Sequence, residues 1–221
     1  MMAVFEKSQR LRHVGHLDIM RAMQRALRRS GLPVSYSQGF NPHILLTFAS
    51  ALSVGVVGKR ELMDVTLDED VTPEDFLAVM NRALPPEMQL LSARVLEDRH
   101  PALMAMVRAA RYDILLDDAD AAARCESALP GFLKQEIIMA MRKTKSGMKE
   151  TDIRPLIHAL ACEDGHLHAT LVQTENLACK PDMLVSALCD FAGCEVPRVL
   201  MTREELLGED AQGHLVPLET L

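Results

Sequence analysis

Residues 15–33 read Gly15-His16-Leu17-Asp18-Ile19-Met20-Arg21-Ala22-Met23-Gln24-Arg25-Ala26-Leu27-Arg28-Arg29-Ser30-Gly31-Leu32-Pro33. A helical period sets His16, Ile19, Met20, Met23, Ala26 and Leu27 on one side. Asp18, Arg21, Arg25, Arg28 and Arg29 fall on the opposite side. The spacing therefore predicts an amphipathic helix over 16–29. Gly15 or His16 is placed to cap it, and Asp18 in the first turn suits the helix dipole. Ser30-Gly31-Leu32-Pro33 stops it, glycine first and proline after.

Short apolar runs flank this helix. Ala3–Phe5 and Leu11–Val14 read as strand, broken by the polar Glu6–Arg10. Pro33–Tyr36 and Ile44–Phe48 read as two more, joined by a loop carrying Gln38-Gly39 and Asn41-Pro42. Glu61–Leu67 alternates as a strand. Thr72 or Pro73 opens a helix to Ala83, which Pro85-Pro86 stops, and Met88–Leu96 is a further strand. The order β-α-β-β-α-β predicts a ferredoxin-like domain over residues 1–98.

Arg99–Ala105, with Pro101 inside it, reads as a linker, and a second such domain is expected over 106–221. Its elements are a strand Ala109–Leu116, a helix Asp117–Ala128 and a strand Ile137–Lys143. Lys145-Ser146-Gly147 turns the chain towards a short strand near Thr151–Arg154. Pro155–Cys162 and His166–Val172 form a hairpin about Asp164-Gly165. A helix Asp182–Phe191 and a strand Arg198–Arg203 follow. From Glu204 the tail is acidic and punctuated by Gly and Pro, which predicts loose packing. The expected fold class is α+β, two ferredoxin-like halves with antiparallel sheets.

Charge divides along the chain. The first sixty residues hold nine Lys and Arg against Glu6 and Asp18, although the whole chain has formal net charge −7. A split this large points to a surface built for an anion, phosphate first. No apolar run reaches the roughly 18 residues of a membrane span. The start lacks the pattern of a secretory signal. Five cysteines form no CxxC pair, which fits free thiols in a reducing cytoplasm.

Several motifs resemble the radical SAM-linked protein family of bacteria. They are His16-Leu17-Asp18, Arg25 with Arg28-Arg29, Leu32-Pro33, and Tyr36-Ser37-Gln38-Gly39-Phe40-Asn41-Pro42-His43. Leu52-Ser53-Val54-Gly55, Met63-Asp64-Val65, Leu84-Pro85, Arg142 to Gly147 and Asp152-Ile153-Arg154 extend the resemblance. Gly15 departs from the serine usual before His-Leu-Asp, and glycine still caps a helix. The resemblance implies a partner, a radical SAM enzyme, to which such domains are also found fused, B12-type enzymes included. It implies no activity and no cofactor. The chain has no CxxxCxxC cluster motif and is not itself that enzyme.

The candidate phosphate-binding residues fall in three groups. The helix contributes His16, Asp18, Arg21, Arg25, Arg28 and Arg29, whose like charges call for an anion or for acids elsewhere in the chain. The loop contributes Tyr36, Ser37, Gln38, Phe40, Asn41 and His43, aromatic faces for stacking beside donors for base edges. A basic island contributes Arg142, Lys143, Lys145 and Arg154. His16, Tyr36 and His43 also compose an acid/base set for RNA cleavage, although the helical phase favours a packed His16. His158, Cys162, His166 and His168 have metal-ligand chemistry, but a two-residue turn at Asp164-Gly165 splits them between two faces. Cys189 and Cys194, without a second pair, read as buried thiols. The sequence thus predicts a non-enzymatic accessory protein that binds RNA (tRNA or rRNA) or another phosphate-bearing substrate. An RNA-processing or RNA-modifying enzyme using His16, Tyr36 and His43, and a pure protein–protein adaptor, are the alternatives.

Overall fold

The computed structural model describes residues 1–97, 99–144 and 147–221. They divide into two units, 1–107 with 205–221, and 108–204. The described residues form a mixed α+β protein with mostly antiparallel sheet and five helices.

The first unit's strands are β1 (Met2–Lys7), β2 (Leu46–Phe48), β3 (Val56–Val65) and β4 (Leu90–Arg94). They lie in the order β4-β1-β3-β2, and each neighbouring pair is antiparallel. Helix α1 (His16–Ser30) buries the predicted stripe, Ile19, Met23, Ala26 and Leu27. This stripe shares one core with Phe5, Phe48, Met63 and Val65 of the sheet, and with Phe76 and Met80 of α2 (Pro73–Ala83). Each large side chain so buried contributes about 1.5–3 kcal/mol, well above its helix propensity. Packing therefore holds α1. Gly31, at φ 76°, supplies the left-handed C-cap that ends it. Thr72 caps α2 by accepting from the Asp75 N–H at 3.1 Å.

The second unit opens with β5 (Ala109–Leu116) and α4 (Ala119–Leu133), whose cap Asp118 accepts from the Ala121 N–H at 2.8 Å. A separate hairpin follows, β6 (Met139–Thr144) with β7 (Gly147–Asp152). β8 (Ile157–Glu163) and β9 (His166–Val172) then join β5 in the order β5-β9-β8. Their turn is the predicted one: Asp164 and Gly165 take φ 52° and 80°, and Glu163 faces His166. Helix α5 (Pro181–Ala192) packs on α4. β10 (Val199–Glu209) begins in this unit after Arg198, whose carbonyl accepts from the Asp117 N–H at 2.9 Å.

Several expectations need correction. Leu11–Val14 is not a strand. The Arg12 carbonyl accepts from Lys7 Nζ at 3.1 Å and from the Gly55 N–H at 2.7 Å, and the Val14 N–H turns back to Leu11. The segment's backbone bonds thus run to turns and to Lys7 and Gly55, not to a neighbouring strand. Pro33–Tyr36 makes only single bridges, Val34 to Leu67 and Tyr36 to Ile44, because proline cannot donate to a ladder. Helix α4 does not stop at Ala128. It runs through Pro130, burying Leu129 and Phe132. Their burial, about 1.5–3 kcal/mol each, offsets the roughly 3 kcal/mol that an internal proline costs. The expected linker holds α3 (Leu103–Met106), with Leu103 buried.

The tail from Glu204 is not loose. β10 continues to Glu209, with Leu206 and Leu207 buried, and pairs with β11 (Leu215–Pro217). Arg60 forks onto Glu219, its Nη2 2.7 Å from both carboxylate oxygens, and Leu218 is 1% exposed. Five acidic residues mark the tail's composition, yet its leucines decide its packing.

Candidate nucleic-acid interface

The arginine face of α1 follows from the helical period that buries the opposite stripe. Arg21, Arg25, Arg28 and Arg29 are all exposed. Arg21 pairs with Asp18 at 3.0 Å, an exposed pair of small energetic weight. Arg29 donates to the Ala83 carbonyl at the end of α2, at 2.9 Å. Arg25 and Arg28 have neither an acidic nor a hydrogen-bonding partner among the described residues. They stand one turn apart and present two guanidinium forks to solvent.

The loop 36–43 leaves α1 five residues after its C-cap. Its base is closed by the Tyr36–Ile44 bridge and by the Ser37 N–H donating to the His43 carbonyl at 2.8 Å. Ser37 Oγ lies 2.8 Å from His43 Nδ1 and accepts from the His43 N–H at 3.1 Å. The tip, Gln38 to Pro42, is exposed throughout. Gly39, at φ 128°, makes a turn that residues with a side chain rarely adopt. Phe40 is fully exposed, and Tyr36 is 42% exposed. Gln38 and Asn41 make no side-chain hydrogen bond among the described residues. A closed base thus presents one free aromatic ring and two free amides, groups able to stack on a base and to read its edge.

His16 sits elsewhere in the first unit. Its ring meets Phe48 edge-on at 5.2 Å, in a small cavity lined by the buried Lys7 and Glu61. His16 is therefore bedded at the core's rim, whereas His43 is engaged with Ser37. In the second unit, Arg142 faces Lys149 across the β6–β7 hairpin. Arg154 follows β7 in a 3-10 turn and is half-buried. Lys145 and the Lys143 side chain lie outside the described residues.

The histidine hairpin has the expected faces near its turn. Ala161 faces His168, and Cys162 faces Leu167, so Cys162 lies on the opposite face from His166 and His168. A bulge between Ile157 and Ala159 leaves His158 exposed and not among the leucines. His166 Nδ1 and His168 Nδ1 lie 2.8 and 3.6 Å from Asp113 of β5.

Two features were not visible in the sequence. One is a cleft of about 340 Å³ lined by Met139, Met141, Met148 and Met183 together with Asp182 and Asp190. It forms where the hairpin meets α5, a contact that no local pattern announces. The other is a meeting of three thiols, Cys125, Cys189 and Cys194. Burial, reinforced by the neighbouring thiols, pushes Cys125 well above its ordinary value. Burial likewise pushes Cys189 up to about 11.

What the fold and surface define is a mixed α+β protein with a basic helix and an exposed aromatic loop. The chain belongs to the family described as "Uncharacterized protein conserved in bacteria (DUF2344)", whose model matches residues 1–185. Among curated proteins none matches it. No helix of the described residues is long and apolar enough to cross a membrane.

Proposed function

We propose that the chain is a non-enzymatic accessory protein of a radical SAM enzyme and binds RNA, or another phosphate-bearing substrate, through α1 and the loop 36–43. The observation that carries this is the pair Arg25 and Arg28, exposed, one turn apart on α1 and without partners among the described residues. Guanidinium forks match phosphate oxygens bidentately. The free ring of Phe40 adds a stacking surface that accepts any base. The strand order β4-β1-β3-β2 supports a ferredoxin-like reading of the first unit, and the second is taken in the same sense. Such folds commonly present a sheet or loop to single strands, an argument from analogy. The partner enzyme rests on the resemblance of the motifs alone. His16, bedded against Phe48, does not favour the acid/base alternative.

Fluorescence anisotropy with a single-stranded RNA oligonucleotide, over a series of salt concentrations, tests the reading. Changing Arg25 and Arg28 together to Ala should weaken binding and flatten the salt slope by about 1.4, at roughly 0.7 per phosphate contact. Phe40→Ala should cost about 1–3 kcal/mol and leave the slope nearly unchanged. Circular dichroism confirms that each variant is folded. Folded variants that bind RNA as the unaltered chain does would overturn the reading.

A further inference from the structure

The three thiols of the second unit lie where two helices and a cap converge. Cys125 is on α4 and Cys189 on α5, both wholly buried. The two helices are held together by their aromatic ends, Phe132 meeting Phe191 edge-on at 5.7 Å. Cys194 arrives by a helix cap. Gly193, in the left-handed region at φ 67°, reverses the chain, and the Cys194 N–H donates to the Cys189 carbonyl at 3.0 Å. Arg124, next to Cys125, donates to the Gly193 carbonyl at 3.1 Å and ties this cap to α4. The sulfur atoms of all three lie within 4.8 Å of one another.

The spacing suits a metal better than a disulfide. Cys125 Sγ and Cys189 Sγ are 3.8 Å apart, and both cysteines are free thiols. A disulfide needs about 2.05 Å. Zinc–sulfur bonds of about 2.3 Å at tetrahedral angles place two sulfurs about 3.8 Å apart. Access comes through Cys194. Cys194 is half-buried and lines a cleft of about 370 Å³ together with Asp118, Asp120, Arg124 and Glu195. Three carboxylates beside one guanidinium favour a cation in that cleft.

We propose that Cys125, Cys189 and Cys194 form a three-thiolate site for a thiophilic divalent ion of the zinc class, with its fourth position open to the cleft. Binding replaces three S–H protons, which pass to solvent, by three metal–sulfur bonds. No oxidant or reductant takes part. The site is independent of the RNA reading, and its loss would leave that reading intact.

Cobalt(II) is the probe, since zinc itself has no visible spectrum. The reduced, untagged full chain should take up one equivalent. It should show sulfur-to-cobalt charge transfer in the near ultraviolet and the visible bands of a tetrahedral ion. Zinc should bleach both. Cys194→Ser changes the one half-buried ligand and is expected to fold. It should weaken metal retention by more than the roughly 10–100-fold that altering a ligand's hydrogen-bond partner costs. Cys162→Ser, on β8 and outside the three-sulfur group, should change nothing. Reduced and folded wild-type protein without a sulfur-to-cobalt band overturns the proposal, and this result requires no variant. An unchanged spectrum and affinity in Cys194→Ser overturns it as well.

Discussion

Cys179 is buried at the join before α5, and its thiol shows what that burial does to stability. Burial, with a smaller contribution from the carboxylate of Asp182, raises it from 9.0 to about 12. Unfolded, the thiol ionises near 9.0, while the folded chain keeps its proton to about 12. The unfolded state is therefore favoured as pH rises between these values, and stability that is complete below pH 9 is lost on the way to 12. The slope from one such proton is about 1.4 kcal/mol per pH unit. Urea denaturation in that pH range should show Cys179→Ala losing less stability than the unaltered chain as pH rises. Parallel curves for the two would mean that the thiol ionises freely in the fold.

At the scale of elements, the tail offers the sharpest contrast between composition and packing. Leu218 is 1% exposed, and Arg60 grips the neighbouring Glu219. Leu218→Ala should cost about 2–5 kcal/mol by denaturant titration, as for other buried leucines. A loosely packed tail would lose nothing. Helix α1 and the Asp164-Gly165 hairpin were legible in the sequence, because each is fixed by short-range rules, a 3.6-residue period and a two-residue turn. The arginine face was legible for the same reason, since one period sets both sides of the helix. What was not legible depends on distant partners. Leu11–Val14 loses its ladder to Lys7 and Gly55, and α4 outlasts Pro130 because α5 receives Phe132. The thiol cluster joins Cys125 to Cys189, 64 positions away, and no local spacing relates them. The loop 36–43 was legible as a turn, and Phe40, read there as a face for stacking, is fully exposed.

Across the whole molecule the charge is −7, although the first sixty residues carry a positive excess. A net negative chain gains nothing from nonspecific attraction to a polyanion, so the proposed RNA binding has to be local to the basic face. It must also fade with salt in proportion to the few phosphates engaged. Amide chemical-shift mapping of the nitrogen-labelled full chain, titrated with a single-stranded RNA oligonucleotide at low salt, tests this most directly. The account predicts shifts centred on His16–Ser30 and on residues 36–43, shrinking as salt is added. Shifts centred on the second unit, or none at all, would contradict it.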